Sequence, residues 1–442
     1  MIEVCTVGGY NEVGKNCTAV RVDDEVIIFD LGLHMEIYVR YTDDEDVVDF
    51  SPKKLTSIGA VPDLAIIEDW KQKVVAIIPT HAHLDHIGAI PFLAGKYSAP
   101  VICTPYSKAV LSAILKDNDM RLRNDIIAVN PNASYTLSKN LTVEFIHVTH
   151  SVPQTVMVAL HTKYGTVIYA NDYKFDNTPT LGKAPNYERL RELGDKGVKC
   201  LIVDSLYSTS HTKTPSEAVA REMLKDVLLG VDSKDKAVIV STFSSHLARI
   251  KTIIELGKKM NRSVILLGRS LGKYVLAGQD TNIIHFEGEA EIVRYREKVA
   301  KKLRKIKQQK GKYLIICTGH QGEPKSVLSR MVNGEYDFRL EKGDHVVFSC
   351  TVIPSEVNIL NRHLVEDKLM KSGVRIFRDI HVSGHGARED LRDLLGMVKP
   401  EHIIPSHGGP DRVEGAVQLA TELGYKEGKT LHSMKDGKRL VL

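Results

Sequence analysis

Residues 74–86 read Val-Val-Ala-Ile-Ile-Pro-Thr-His-Ala-His-Leu-Asp-His, an apolar run that ends at Pro79 and is followed by three imidazoles and one carboxylate between His81 and His86. A short run of β-branched residues before a proline fits a buried strand. His81, His83, Asp85 and His86 would then sit where that strand ends and converge on one point. Imidazole nitrogen and carboxylate oxygen are the donors zinc takes outside thiolate sites. The competing reading is a polar turn that happens to be rich in histidine. Four ligand-type side chains within six positions weigh against it and point to a metalloenzyme.

The rest of the chain is large enough to build around such a site. Its 442 residues are 43% hydrophobic, enough for at least two domains with cores of their own. A formal net charge of +5 permits a polyanionic partner without demanding one. Six cysteines (Cys5, Cys17, Cys103, Cys200, Cys317, Cys350) are scattered with no CxxC pair. That pattern predicts buried thiols in a reducing cytoplasm, with neither disulfides nor thiolate metal sites. Met1-Ile2-Glu3-Val4 opens straight into a strand pattern, with no leader expected, and no apolar run is long enough to span a bilayer. The expectation is a soluble cytoplasmic protein with no membrane partner.

Strand patterns fill the first half, at residues 4–9, 18–22, 25–30, 74–80, 101–104, 141–148, 156–161 and 166–171, with helices expected over 85–96 and 106–116. From Pro215 the texture changes. Helical periodicity at 216–229 and 245–259 alternates with apolar strands at 237–242 and 263–267, which predicts a separate α/β unit with a parallel sheet. Residues 294–312 form a basic helix with almost no counter-charge. Such a run is more often a solvated face than a nucleic-acid contact. A strand at 375–380 leads into a second histidine-rich stretch.

Further donors stand at strand ends downstream. His150 follows the apolar run ending at Thr149, Asp172 follows Val167-Ile168-Tyr169-Ala170-Asn171, and His407 follows Ile403-Ile404-Pro405-Ser406. A lone strand-end histidine is more often a hydrogen-bonded surface residue. Repetition of one layout (apolar strand, ligand, small residue) shifts the reading to a shared site.

Thr80-His81-Ala82-His83-Leu84-Asp85-His86 resembles the HxHxDH signature of the metallo-β-lactamase superfamily, and Asp30, His150, Asp172 and His407 stand in that family's order. Asp204 after Cys200-Leu201-Ile202-Val203, His385 in Val382-Ser383-Gly384-His385-Gly386, and His407 resemble successive motifs of its nucleic-acid-processing β-CASP group. Within that group the chain is most similar to the ribonuclease J family in its shorter archaeal form. Gly8-Gly9-Tyr10-Asn11-Glu12-Val13-Gly14-Lys15-Asn16, His150-Ser151-Val152-Pro153 and Thr318-Gly319-His320-Gln321-Gly322-Glu323-Pro324 also carry this likeness, which covers nearly the whole chain.

The resemblance implies an α/β fold: a metallo-β-lactamase αββα sandwich from residues 1–207 and 376–442, with an inserted α/β β-CASP domain at 208–375. It implies two zinc ions per subunit, one on His81, His83 and His150, the other on Asp85, His86 and His407, with Asp172 bridging. Asp30 is expected to orient ligands rather than bind metal. A structural carboxylate is the competing reading there. Asp85 is expected to bind metal and orient the attacking hydroxide, His385 to contact the scissile phosphate and act as general acid, and Asp204 to fix a neighbouring histidine. Ser383 and His381, beside Gly384 and Gly386, offer donors for a terminal phosphate. Phe243, Ser244, Ser245 and His246 form a second candidate wall, although ordinary helix capping accounts for that turn equally well.

The implied activity is zinc-dependent hydrolysis of single-stranded RNA from the 5′ end, with preference for a 5′-monophosphate, in RNA decay and maturation. An endonucleolytic RNA 3′-end processing enzyme of the same superfamily is the alternative. A catalytically dead RNA-binding scaffold is disfavoured because every expected ligand position is filled. A small-molecule hydrolase of the lactamase or glyoxalase kind would not need the insert. The chain lacks room for the C-terminal domain of bacterial relatives, so a homodimer is expected to use the core domains.

Overall fold

The apolar runs of the first half become strands, and the glycine- and asparagine-rich punctuation between them becomes turns. In the computed structural model, which describes residues 1–44 and 49–442, Ile2–Gly8, Cys17–Val22, Glu25–Phe29, Val74–Ile78, Val101–Cys103 and Ile126–Ala128 lie side by side, with Lys438–Val441 on the outer edge of Ile2–Gly8. A second sheet runs in the order Ser134–Thr136, Thr142–His147, Val156–Thr162, Gly165–Ala170, Val198–Asp204, His402–Ser406. Side chains alternate across a strand. One set from each sheet (Val20, Ile27, Phe29, Ala76 and Ile78; Phe145, Val158, Val167, Tyr169 and Ile202) therefore merges into a single buried core. Across it Phe29 and Tyr169 stack with centroids 5.0 Å apart and planes within 12°. The other face of the second sheet, through Ile168, Ala170, Leu201 and Val203, packs on Leu190, Leu391, Leu394 and Ala416 from the helices Tyr187–Lys196, Arg388–Val398 and Pro410–Glu422. Leu64–Lys73 and the helix Pro105–Asp117 pack on the first sheet. The layers are αββα.

Parallel pairing decides where the polar residues gather. Glu25–Phe29 pairs parallel with Val74–Ile78, and Val198–Asp204 pairs parallel with both Gly165–Ala170 and His402–Ser406. Parallel strands end together, so Asp30 comes beside Thr80, and Asp172 and Asp204 come beside His407. Three of these residues leave their strands in the left-handed region, Asp30 at φ 58°, Asp172 at φ 52° and His407 at φ 56°. Non-glycine residues adopt that conformation rarely and at some energetic cost, and such strain gathers at functional sites.

Two expected elements come out shorter. The helix expected over 85–96 breaks into Leu84–Ile87, Ile90–Leu93 and a 3₁₀ turn at Ala94–Lys96. Pro91 has no N–H to continue a helical ladder and instead sits in the first turn of the second piece, where none is needed. The strand expected over 375–380 stops at Phe377, before a left-handed Asp379.

The chain forms two compact units, Met1–Asp176 with Ala184–Thr214 and Gly384–Leu442, and Asn177–Lys183 with Pro215–Ser383. The second is built on a six-stranded sheet in the order Ala290–Val293, Ser263–Leu267, Tyr313–Cys317, Val238–Ser241, His345–Phe348, Arg375–Phe377, paired parallel throughout. Its strands read as continuous apolar runs because both faces are covered. A buried ion pair braces it: the fully buried Arg249 donates Nε to Glu217 Oε1 (2.5 Å) and Nη2 to Oε2 (2.8 Å), while Nη1 reaches the carbonyls of Ser349 and Ile380, each at 3.1 Å. Among the described residues no helix is long and apolar enough to cross a membrane. All six cysteines are free and buried.

Candidate metal centre

The turn after Val74–Ile78 is short because Pro79 closes the strand and His83, in extended conformation, caps the single-turn helix Leu84–Ile87. His81 and His83 therefore leave the turn, and Asp85 and His86 the helix, toward the same space. In the first unit they meet His150, Asp172, Asp204, His385 and His407. Three groups of donor atoms result, each within 4.8 Å: His81, His83, His150 and Asp172; Asp85, His86, Asp172 and His407; and Asp172, Asp204 and His385.

Asp172 belongs to all three. Its Oδ2 lies 3.3 Å from His86 Nε2, 3.4 Å from His81 Nε2, 3.5 Å from His150 Nε2 and 3.8 Å from His385 Nε2. Its Oδ1 lies 3.6 Å from His407 Nε2 and, although buried, has no hydrogen-bond partner among the described residues. A buried carboxylate oxygen without a donor is costly unless a cation meets it.

The outer nitrogens of the imidazoles show which way their protons point. His86 Nδ1 donates to Asp30 Oδ2 at 2.8 Å, His150 Nδ1 to the Gly384 carbonyl at 2.6 Å, His407 Nδ1 to Asn16 Oδ1 at 2.8 Å and His385 Nδ1 to Asp204 Oδ2 at 2.8 Å. His81 Nδ1 lies 3.0 Å from the Thr80 hydroxyl, which itself donates to Asp30. Each acceptor is an oxygen, and none belongs to the two groups that hold the imidazoles of His81, His83, His86, His150 and His407. The second nitrogen of each ring thus faces inward, and where the ring is neutral it offers a lone pair. Outer partners of this kind fix the tautomer and orientation of metal-binding histidines.

Electrostatics separate the rings into two sets. Burial, reinforced by the neighbouring imidazoles, lowers His81 to about 3 and holds His83 and His150 well below the ordinary histidine range. These three are neutral donors at pH 7. Burial acts the same way on His86, but Asp172, Asp30 and Asp85 outweigh it and raise its proton affinity well above the ordinary range. At His385 burial is likewise overcome by Asp172 and Asp204, and the ring rises to about 9. Asp172 stays ionised despite burial because His407, His86 and His385 surround it. The carboxylates call for positive charge, and neutral imidazole lone pairs converge beside them. This donor set fits a metal ion.

Asp30 is fully buried and stands outside the cluster, accepting from Thr80 N at 2.8 Å as well as from His86. The structure adds groups that the sequence did not single out. Asn16 donates to the Asp85 carbonyl at 3.1 Å and accepts from His407, joining loops 391 residues apart. Its place in the glycine-rich stretch 8–16 was the available signal. Gly32 packs so closely on the Asp85 carbonyl that a Cβ there would lie 1.6 Å from its oxygen.

The six residues considered for substrate lie in the second unit. Phe243 is half-buried, with its ring 4.3 Å from His320 and 6.0 Å from His381. Ser244 and Ser383 are half-buried and Ser245 is buried. His246 is the N-cap of Leu247–Lys259: its Nδ1 accepts from Arg249 N at 3.3 Å and its Nε2 lies 3.4 Å from Glu217. These contacts hold His246 in a capping role.

Family models match three stretches of the chain: the metallo-beta-lactamase superfamily over residues 10–197, the ribonuclease J beta-CASP domain over 235–367, and the Zn-dependent metallo-hydrolase RNA specificity domain over 374–430. The chain is similar to the ribonuclease J of Methanocaldococcus jannaschii, 42% identical over 441 residues that span 99% of this chain and 98% of that one. It is similar to the ribonuclease J of Pyrococcus abyssi, 42% identical over 440 residues that span 99% and 96%. A crystal structure of a protein of unknown function from Enterococcus faecalis V583 matches the fold over all of both chains, at a TM-score of 0.67 and 18% identity. The chain belongs to the ribonuclease J family, with a metallo-β-lactamase αββα body and an inserted β-CASP domain.

Proposed function

We propose that this member of the ribonuclease J family is a zinc-dependent ribonuclease that degrades single-stranded RNA from the 5′ end and prefers a 5′-monophosphate. The observation that carries the proposal is the donor cluster around Asp172, with its imidazole protons turned outward. Two ions per subunit suit the donor count: His81, His83 and His150 for one, Asp85, His86 and His407 for the other, and Asp172 between them. When bound, such a pair supplies a water of low pKa and positive charge against the developing phosphorane.

The chain's own residues do the rest. Asp85 is oriented through its backbone by Asn16 and offers its carboxylate as ligand and as acceptor for the attacking water's proton. Asp204 holds the His385 ring by Nδ1, so that Nε2 is left to contact the scissile phosphate and deliver a proton to the leaving oxygen. Asp204 is thus a positioning residue. In the second unit, reading the inserted domain as residues 208–375, Phe243 and Ser244, with His381 and Ser383 just beyond it, remain candidates for holding the RNA terminus. Ser245 and His246 are weaker candidates because burial and capping already occupy them.

A homodimer through the core domains is supported by an exposed apolar stripe on the helix Glu356–Lys371, formed by Val357, Leu360 and Leu364. Two copies set antiparallel would bring Glu356 of each toward Lys368 and Lys371 of the other. Cytoplasmic location is supported by six reduced, buried thiols.

The test is the product pattern on 5′-monophosphorylated and 5′-triphosphorylated RNA, labelled at the 5′ end, with and without chelator. Labelled mononucleotides released from the monophosphate alone, and lost with chelator, are the expected result. Internal fragments from both substrates would replace this reading with endonucleolytic processing. Hydrolysis that survives exhaustive chelation would remove the metal from it.

A further inference from the structure

The most basic stretch of the chain takes no part in the metal centre. From Arg296 to Lys312 it carries nine lysines and arginines against one acid, Glu297. The fold itself uses five of the nine. Arg296 pairs with Glu335, Lys302 with Glu291, Arg304 and Lys307 share Asp337, and Lys310 spans Glu341 and Asp344. Val299, Leu303 and Ile306 are buried and fix the rotation of the helix Arg296–Ile306 about its axis.

That rotation leaves Lys298, Lys301 and Lys305 in one row on the outer side, spaced by three and four residues and all exposed. None of the three pairs with a carboxylate among the described residues. One turn ahead of them stands Tyr295, 51% exposed, with the Arg294 guanidinium 5.4 Å and Lys298 Nζ 6.0 Å from its ring centroid. Like charges three and four apart on a helix repel and destabilise it. The row therefore works against the fold, while its neighbours on the same helix are neutralised by acids. An exposed aromatic ring at its head adds the other element that single strands use, a platform on which a base can stack.

We propose that Tyr295, Lys298, Lys301 and Lys305 form a second track for single-stranded RNA, one that grips the phosphates of long substrates at nucleotides other than those being hydrolysed. The inference rests on the ribonuclease reading above and adds a site to it. At 1.5 Å per residue the track is about 15 Å long, enough for a few nucleotides. The lysines supply charge, and Tyr295 favours a single strand, whose bases are free to stack, over a duplex.

The experiment uses the full chain with Lys298, Lys301 and Lys305 all changed to Gln, and separately Tyr295→Ala. All four positions are exposed, so both variants should keep the fold. Binding of a short (about six-nucleotide) and a long (about thirty-nucleotide) oligouridylate is titrated across salt concentration, beside hydrolysis of the short one. Releasing three phosphate contacts should lower the slope of log K against log salt by about 2 for the long RNA. Affinity for it should fall on the order of tenfold, with short-RNA binding and hydrolysis unchanged. An unchanged slope on the long RNA would overturn the track, and is what a site for an acidic protein surface would produce. Equal losses on short and long RNA would overturn it too, because the lysines would then serve the hydrolysed end. A wild-type chain that shows the lysine-dependent slope but does not hydrolyse RNA would support the track and refute the ribonuclease reading.

Discussion

Asp30→Asn changes one buried oxygen into an amide nitrogen, and its consequences can be worked through atom by atom. Asp30 is fully buried and only accepts: from Thr80 N at 2.8 Å, from the Thr80 hydroxyl at 3.2 Å and from His86 Nδ1 at 2.8 Å. Asparagine offers one acceptor and one donor in the same space. If its oxygen stays with Thr80, its NH₂ faces His86 Nδ1, and the ring must carry its proton on Nε2, inside the donor cluster. If the amide turns over, His86 keeps its tautomer but Thr80 N–H meets an N–H. That strands a buried donor at a cost of about 1–3 kcal/mol. The first arrangement turns the His86 lone pair away from the metal and the second leaves a neutral amide oxygen in place of the carboxylate as its support; losing a supporting partner of this kind costs about 10–100-fold in affinity. That corresponds to about 1.4–2.8 kcal/mol. Competition titration against a chromophoric chelator, on metal-stripped wild type and variant, measures it directly. Affinities equal within about twofold would show that His86 does not depend on Asp30 for its orientation, and the tautomer argument would fail.

Other perturbations test other parts of the structure. Gly32→Ala would place a Cβ 1.6 Å from the Asp85 carbonyl oxygen and 2.9 Å from Asn16 N, both backbone atoms, so the Leu84–Ile87 turn must shift. Loss of metal content and of RNA hydrolysis is expected, and a variant with full occupancy and full activity would contradict the packing described. Arg249→Met takes both guanidinium hydrogen bonds from the buried Glu217 carboxylate, with His246 Nε2 still 3.4 Å from it, and should cost about 3–5 kcal/mol. Adding Glu217→Gln to that variant should restore much of the loss, and a double variant no more stable than the single one would count against an ion pair as the brace. At Glu144 burial raises the carboxyl's proton affinity, but hydrogen bonds from His161 and Arg189 prevail and lower it from 4.5 to about 2. Its contribution to stability is therefore complete above the ordinary carboxylate range and fades as pH falls from about 4.5 toward 2. The difference in unfolding midpoint between wild type and Glu144→Gln should shrink across that window; a gap as wide at pH 2.5 as at pH 7 would refute the assignment.

Much of the centre can be read along the chain because chemistry and spacing coincide there. His81, His83, Asp85 and His86 lie within six positions, and His150, Asp172, Asp204 and His407 each stand at the end of an apolar run that period and composition mark as a strand, whereas His385 lies in a glycine-rich turn. The break at Pro91 was missed: one helix was expected over 85–96, although proline cannot continue a helical ladder. The turn 243–246 shows the opposite limit. Small hydroxyl residues at a helix start serve equally well as caps or as phosphate donors, and the sequence does not show that His246 accepts from Arg249 N as the cap of the following helix.

By itself the sequence determined the kinds of donor atom, the strands that carry them and the change to a parallel α/β unit after Pro215, all properties of neighbouring residues. Tertiary structure alone decided that Asn16 and the Gly384 carbonyl set the ring protons, and that Asp30, Asp172 and His407 turn through left-handed backbone to aim their side chains. The physical reason is separation along the chain. Asn16 meets His407 across 391 residues and His150 meets Gly384 across 234. Only the pairing and stacking of the two sheets closes such gaps, so no local pattern can announce them.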